Sequence, residues 1–131
     1  MSNTKLAITK LLLYFVIFPN YAADYYWVGG SGNWSEISHW ANTSGGSITY
    51  AQTPTAGDNV IFDANSFTGP NQTVTISDDN SFARNLTVGN VNFNPRFLGT
   101  ENARLNIFGS INIGENCRWE FAGRIRMLSS E

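Results

Sequence analysis

Alternating apolar and polar residues in the last third of the chain constrain its fold more than any other feature. In the segment LNIFGSINI, residues 105–113, every second position is apolar or glycine, and WEFAGRIRM, residues 119–127, repeats this pattern fourteen positions later. A period of two predicts β-strands with one buried face. Gly109 and Gly123 stand at the centres of the two segments, where a glycine commonly marks a bend or bulge.

This repeat fits two all-β folds. Strand units that each cover the apolar face of the previous unit build a β-helix or solenoid. The pattern is symmetric about its glycine, so it also suits antiparallel neighbours in a β-sandwich. If Gly109 and Gly123 are in register, each places a corner at the same height in successive layers. We therefore expect a solenoid-like all-β fold, with the antiparallel sandwich as the alternative. A weaker copy upstream assigns Val91, Phe93 and Phe97 to the same apolar positions.

The middle of the chain predicts short strands joined by tight turns. Residues 48–50, 60–62 and 74–76 are rich in β-prone side chains and are separated by Gly, Pro, Asn and Asp. A chain of 131 residues corresponds to one domain. We therefore predict a single β-rich domain over residues 23–131, interpreted as the N-terminal part of a longer solenoid.

The first 22 residues have the order of a secretory signal peptide. Lys5 and Lys10 precede the apolar residues 11–18, and the small residues Ala22 and Ala23 follow. A membrane anchor would need roughly 20 apolar residues, and Lys10 leaves too few. We predict cleavage after Ala22 and a secreted, extracellular or cell-surface chain with no membrane span after processing.

The charge balance argues against nucleic acid as a partner. The chain has 8 basic and 10 acidic residues, and loss of Lys5 and Lys10 with the leader leaves a formal charge of −4. Binding to phosphates needs a basic face.

Cys117 is the only cysteine, so no internal disulfide can form. We interpret it as a small residue packed near a strand end and not as a reactive thiol.

Aromatic residues concentrate directly after the leader. The segment YYWVGGSGNW supplies Tyr25, Tyr26, Trp27 and Trp34, and Trp40 follows. One interpretation is a ligand-binding platform, because flat aromatic faces can stack on sugars. The other is a cap over the first layer of strands, since a solenoid must cover its open end. We favour the cap, with the glycines of the segment allowing sharp turns beneath the indoles.

Other candidate chemistry is sparse, and we expect no cofactor and no catalytic residues. His39 has no neighbour at metal-ligand spacing and is interpreted as packed on aromatic residues or exposed. Asp58 and Asp63 could supply oxygen ligands to calcium, but they are better explained as turn residues whose carboxylates accept backbone N–H groups. A glycosidase would need two suitably placed acids, and no pair stands out.

Several segments together resemble the opening of large secreted, adhesin-like surface proteins from Bacteroidetes-type bacteria. The segments are YYWVGGSGNWSEISHWANTSGG, PTAGDNVIFDANSF, QTVTI and the two alternating repeats. The resemblance covers nearly the whole chain after the leader. It implies repetitive β-rich coils of the β-helix-like or adhesin-like kind, and it brings no catalytic residues with it.

We therefore expect a non-enzymatic, adhesin-like or cell-surface β-repeat protein that contacts carbohydrate or extracellular matrix. The alternative is the N-terminal fragment of a β-helix carbohydrate-active enzyme. Because the repeat is strongest near the end of the sequence, an uncovered strand edge is expected over residues 118–128. Such an edge favours edge-to-edge self-association.

Overall fold

The computed structural model describes residues 22–128, and this part of the chain is almost entirely β-structure. Besides a single-turn 3-10 helix at Ile37–His39, it forms twelve short strands. They are β1 (Asp24–Trp27), β2 (Gly32–Asn33), β3 (Trp40–Ala41), β4 (Asn59–Phe62), β5 (Thr73–Thr75), β6 (Ser81–Ala83), β7 (Asn85–Val88), β8 (Arg96–Leu98), β9 (Arg104–Ile107), β10 (Ile111–Ile113), β11 (Arg118–Trp119) and β12 (Arg124–Met127). The all-β prediction is confirmed.

The strands belong to three sheets. A five-stranded sheet has the order β10-β7-β4-β1-β3, a four-stranded sheet has β11-β8-β5-β2, and a three-stranded sheet has β12-β9-β6. Neighbours within each sheet are parallel, except that β1 and β3 are antiparallel. From β4 onward, three consecutive strands enter the three sheets in turn, and this order recurs with β7 to β9 and with β10 to β12. We call this arrangement the strand stack.

The apolar core takes side chains from all three sheets. Val60 of the five-stranded sheet, Val74 of the four-stranded sheet and Leu105 of the three-stranded sheet have no exposed surface and belong to one cluster. Along each sheet, parallel register places apolar residues next to one another, as where Val60 pairs with Leu86. In β1, β4, β6 and β7, buried residues alternate with less buried ones, as a period of two requires. By contrast, β9 buries three consecutive residues and β12 buries none.

The fourteen-residue repeat does not set the pairing of strands. Leu105 pairs with Ile125 rather than with Trp119, because the first segment spans β9 and β10 whereas the second spans β11 and β12. Gly109 and Gly123 both lie between strands, so each marks a break in its segment as expected. The prediction of one shared corner is wrong, since the two glycines separate different pairs of sheets.

The upstream copy of the repeat is correct at two positions and wrong at the third. Val91 and Phe97 are buried, but the side chain of Phe93 is 49% exposed. Phe93 lies in the loop between β7 and β8, with a left-handed φ of 72°. Of the predicted segment at residues 48–50, only an isolated bridge from Thr49 to Ala41 forms.

A polar ladder runs along the outer face of the five-stranded sheet. The Asn59 amide donates to the Asp24 carboxylate over 2.9 Å, and the Asn85 amide donates to the Asn59 side-chain oxygen over 2.8 Å. The Asn85 oxygen then accepts the backbone N–H and the hydroxyl of Ser110 at 2.8 and 3.0 Å. Amide side chains stacked in this way bond along the sheet because parallel register aligns identical positions.

The predicted leader, apart from Ala22, lies outside the described residues. Within residues 22–128, none of the helical structure is long and apolar enough to cross a bilayer.

Candidate functional site

Four of the five aromatic residues singled out after the leader are buried together. Trp27 and Trp40 are 0% exposed, and Tyr25 and Trp34 are also buried. Tyr26 is half-buried, because it alternates with Tyr25 and Trp27 along β1 and so lies on the opposite face of the strand. A sugar could stack on none of the four buried rings without opening the core.

Trp40 is the centre of this aromatic cap, which we define as Tyr25, Trp27, Trp34 and Trp40. Its ring meets that of Trp27 at a centroid distance of 5.0 Å and an angle of 83°, and that of Trp34 at 4.9 Å and 69°. Tyr25 approaches Trp40 at 6.2 Å and 67°. Edge-to-face contacts of this kind are favourable for aromatic quadrupoles. The cap also packs on Phe62 of β4.

The three indole N–H groups of the cap differ in their partners. Trp27 Nε1 donates to the Gly30 carbonyl over 2.7 Å, and Trp40 Nε1 donates to the Trp34 carbonyl over 2.8 Å. Trp34 Nε1 is buried and has no hydrogen-bond partner among the described residues. Buried donors are rarely left in this state because each costs free energy of desolvation.

A glycine turn and His39 hold the cap in place. Gly29 and Gly30 have left-handed φ values of 84° and 74°, which glycine adopts without steric cost. The His39 ring stacks on Trp27 at 4.5 Å and 5°, and its Nδ1 lies 2.6 Å from the Val28 carbonyl. The interpretation of His39 as an aromatic-packed histidine is confirmed, and that of the glycines as turn residues is confirmed for Gly29 and Gly30.

The strand β3 covers the edge of β1 at this end of the stack. Trp27 pairs with Trp40 in antiparallel register, so the strand that carries the central tryptophan also closes the five-stranded sheet. Tyr50 stacks on Tyr25 with ring centroids 3.9 Å apart and donates its hydroxyl to the Asp24 carbonyl over 2.9 Å. Burial raises the pKa of both tyrosines, and nearby carboxylates act in the same direction.

The two candidate calcium ligands both serve as turn residues. Asp58 accepts the Thr55 backbone N–H at 2.8 Å, and Asp63 accepts the Asn65 backbone N–H at 3.0 Å. They stand at opposite ends of β4, so roughly 16 Å of extended chain separates them, and they cannot share one ion. Across the described ranges, no group of three or more His, Cys, Asp or Glu side chains could hold a metal.

The opposite end of the strand stack leaves its inward-facing side chains partly uncovered. β10, β11 and β12 are the outermost strands of their sheets. Trp119 and Phe121 are only half-buried, although Trp119 stacks on Phe97 at 5.1 Å. Ile125 is 38% exposed and Met127 is 54% exposed. We call these four residues, 119, 121, 125 and 127, the open end.

Cys117 lies near the open end, where it is half-buried beside the core. Its Sγ is 3.6 Å from the Gly114 carbonyl, and burial raises the pKa of the thiol. A raised pKa lowers the thiolate population, and the thiolate is the reactive form. The environment favours the packing role assigned to this residue over a nucleophilic one.

One concave surface was missed by the sequence reasoning. Near the loop that carries Phe93 there is a pocket of about 440 Å³. Its lining consists of Val91, Asn92, Phe93, Asn94, Glu115 and Asn116. The sequence signal was the run Asn-Phe-Asn-Pro at residues 92–95, which is typical of a turn and argues against a buried strand position for its aromatic residue.

The chain matches no protein-family model, no curated protein and no solved structure.

Proposed function

We propose that the strand stack is a β-helix-like solenoid with an aromatic N-terminal cap, belonging to an exported, non-enzymatic, adhesin-like surface protein. The observation that carries this proposal is the recurrence of three strands in constant order, each parallel to its predecessor in the same sheet. Parallel neighbours require the chain to return to the same end before pairing again. Here the return path runs through the other two sheets. The antiparallel sandwich would instead need antiparallel neighbours, which occur only between β1 and β3 among the described strands.

The capping role of the aromatic cluster is supported by its burial and by β3. An uncovered solenoid end exposes core side chains and unpaired strand edges. At this end β3 pairs with the edge of β1, and the cap fills the space above Phe62. The proposed contact with carbohydrate or matrix therefore lies on the outer surface and in the loops between strands, where binding residues are commonly found.

A binding role is favoured over catalysis by the structural contacts that four of the carboxylates make. Asp58 and Asp63 accept turn N–H groups, Asp24 accepts the Asn59 amide, and Glu120 pairs with Arg96 at 2.6 Å. Glycoside hydrolysis needs two carboxyl groups flanking one bond. The alternative proposal, the N-terminal portion of a β-helix carbohydrate-active enzyme, would place that pair in coils outside the described residues.

Purified exported protein tests this proposal. It is applied to immobilised glycans and matrix polymers, and the same glycans are assayed for new reducing ends. Binding without release of reducing ends is expected, whereas release would establish the enzyme alternative. Binding to no glycan and no matrix polymer would contradict the adhesin-like role.

The leader is tested separately by mass spectrometry of the exported material. The chain should begin at Ala23 or Asp24. Exported protein that retains Met1 would contradict the signal-peptide interpretation.

A further inference from the structure

Phe93 carries two energetic costs at once. Its φ of 72° lies in the left-handed region, which costs a residue with a bulky side chain roughly 1–2 kcal/mol. The residue is also 49% exposed, which forgoes part of the gain that burial of its ring would bring. A strained backbone at an exposed aromatic residue is a reason to look for a function at that position.

The backbone around Phe93 is anchored on both sides, so the position of this residue on the surface is fixed. Val91 is buried beneath the loop. Asn92 donates its side-chain amide to the Ala64 carbonyl over 3.0 Å, tying this loop to the one that follows β4. Asn94 is also left-handed, with φ of 49°, and Pro95 after it is buried. A preorganised ring pays less entropy when it binds a partner.

The pocket beside the ring is polar and almost neutral. Three asparagines and one glutamate line it in addition to Phe93 and Val91, and Glu115 is its one charged residue. Each amide offers both a donor and an acceptor, which matches a hydroxyl group that donates and accepts at once. A ring face next to several such groups suits a sugar, which has an apolar C–H face and a hydroxyl rim.

We propose that Phe93, Asn92, Asn94, Asn116 and Glu115 form a binding site for a neutral carbohydrate chain, with the Phe93 ring as its stacking surface. This inference rests on the proposed function and names the site that serves it, in place of the buried tryptophans. An anionic ligand is disfavoured because Glu115 supplies the charge of the pocket and it is negative. The site is open at the surface, so it can accept an internal segment of a polysaccharide.

The test measures binding of the exported chain to cellohexaose, xylohexaose, mannohexaose and chitohexaose, each immobilised separately, with heparin and polylysine as charged comparisons. Wild-type protein should bind at least one neutral hexasaccharide better than either charged polymer. Phe93→Asn should weaken this binding about tenfold or more, while Phe93→Tyr should keep it within about threefold because the ring face remains. Ile48→Asn, a change at an apolar loop residue that is 68% exposed, serves as the matched control and should leave binding unchanged.

Melting temperature separates loss of the site from loss of the fold. Asparagine tolerates left-handed backbone well, so Phe93→Asn should melt at or above the wild-type temperature. Hexasaccharide binding that survives Phe93→Asn would overturn this site and leave the proposed function standing. Failure of the wild-type chain to bind any hexasaccharide, or preferential binding of heparin or polylysine, would overturn the site. If broad glycan and matrix panels are also negative, the proposed function fails with it.

Discussion

The two ends of the strand stack carry apolar side chains of similar size but bury them to different extents. At one end β3 covers β1, and Trp27 and Trp40 are 0% exposed. At the other end no described strand pairs beyond β10, β11 and β12, and Met127 is 54% exposed. The same alternation of apolar residues thus yields a sealed core in one place and an exposed surface in the other.

This difference shows that alternation decides which way a side chain faces, whereas the next layer decides whether it is buried. The capped end has that layer because the chain passes from the glycine turn through β2 and the 3-10 helix and then returns as β3, antiparallel to β1. Within residues 22–128, the outer edges of β10, β11 and β12 pair with no other strand and carry large apolar residues, a combination that favours pairing with further strands.

The largest expected effect is the loss of a central tryptophan from the cap. Trp40→Ala should lower the free energy of unfolding by about 3–5 kcal/mol, since it removes a fully buried ring from a packed core. Trp119→Ala is the matched change at the open end and should cost about half as much, because Trp119 is only half-buried. Urea unfolding measures both free energies. Equal losses in the two variants would contradict the proposed difference between the capped end and the open end.

The same variants test the cap against the sugar platform. If the tryptophans close the fold, glycan binding should change only as far as the protein unfolds. If Trp27→Ala, Trp34→Ala or Trp40→Ala melts at the wild-type temperature but no longer binds glycan, the sugar-platform interpretation of these tryptophans is supported instead.

Hydrogen exchange should give the next largest contrast. Amides in β1 and β4 should be protected about a hundredfold more than those in residues 118–128, because local opening is easiest where few apolar contacts hold the backbone. Self-association through the open end should raise protection of residues 118–128 at high protein concentration, and Met127→Lys should reduce that rise. Monomeric protein whose slowest amides lie in residues 118–128 would show that this end is already covered.

A smaller effect should distinguish two tryptophans within the cap. Trp27→Phe removes a donor that bonds to the Gly30 carbonyl, whereas Trp34→Phe removes a buried donor that has no partner within residues 22–128. Loss of the unpaired donor should offset part of the packing cost, so Trp34→Phe should be the less destabilising change by about 1 kcal/mol. Thermal unfolding of the two variants, which delete the same atoms, provides the comparison, and a greater loss from Trp34→Phe would contradict it.

The smallest expected effect is alkaline weakening of the capped end. Burial raises the pKa of Tyr25 and Tyr50 above the ordinary value of 10.0. The folded state therefore holds these protons more tightly than the unfolded state, so the stability they support is complete below pH 10 and declines as pH rises through the folded-state pKa. Unfolding free energies at about pH 8 and about pH 11 should differ less in Tyr50→Phe than in the wild type. An equal pH dependence in the two proteins would exclude Tyr50 as a source.

The sequence was enough to predict which residues form turns or pack on aromatic rings. It was not enough to predict which strands pair with one another. Asp58 was correctly assigned to a turn and His39 to packing on aromatic residues. Tyr26 was grouped with Tyr25 and Trp27, although alternation along β1 places it on the opposite face of the strand. The partner of Leu105 could not be read, because the loops between strands differ in length and the best sequence match joined segments that occupy different sheets.

The candidate site was missed for a related reason. Phe93 matched an apolar position by spacing, yet the loop between β7 and β8 removes it from the strand pattern. The polar ladder was also hidden, because Asn59 and Asn85 stand 26 residues apart and become neighbours only through parallel register.

Parallel stacking also sets how this molecule would respond to force. The hydrogen bonds between neighbouring strands point along the direction in which the strands stack, so tension on the two chain ends along that direction opens strand pairs one after another. The outermost set, residues 111–127, would detach first and release about 55 Å of extended chain. The polar ladder adds side-chain bonds between β1 and β4, between β4 and β7, and between β7 and Ser110, which directly precedes β10, and these bonds raise the force needed to separate those strands. Opening of this kind dissipates an applied load in successive steps, one set of strands at a time, instead of in a single event.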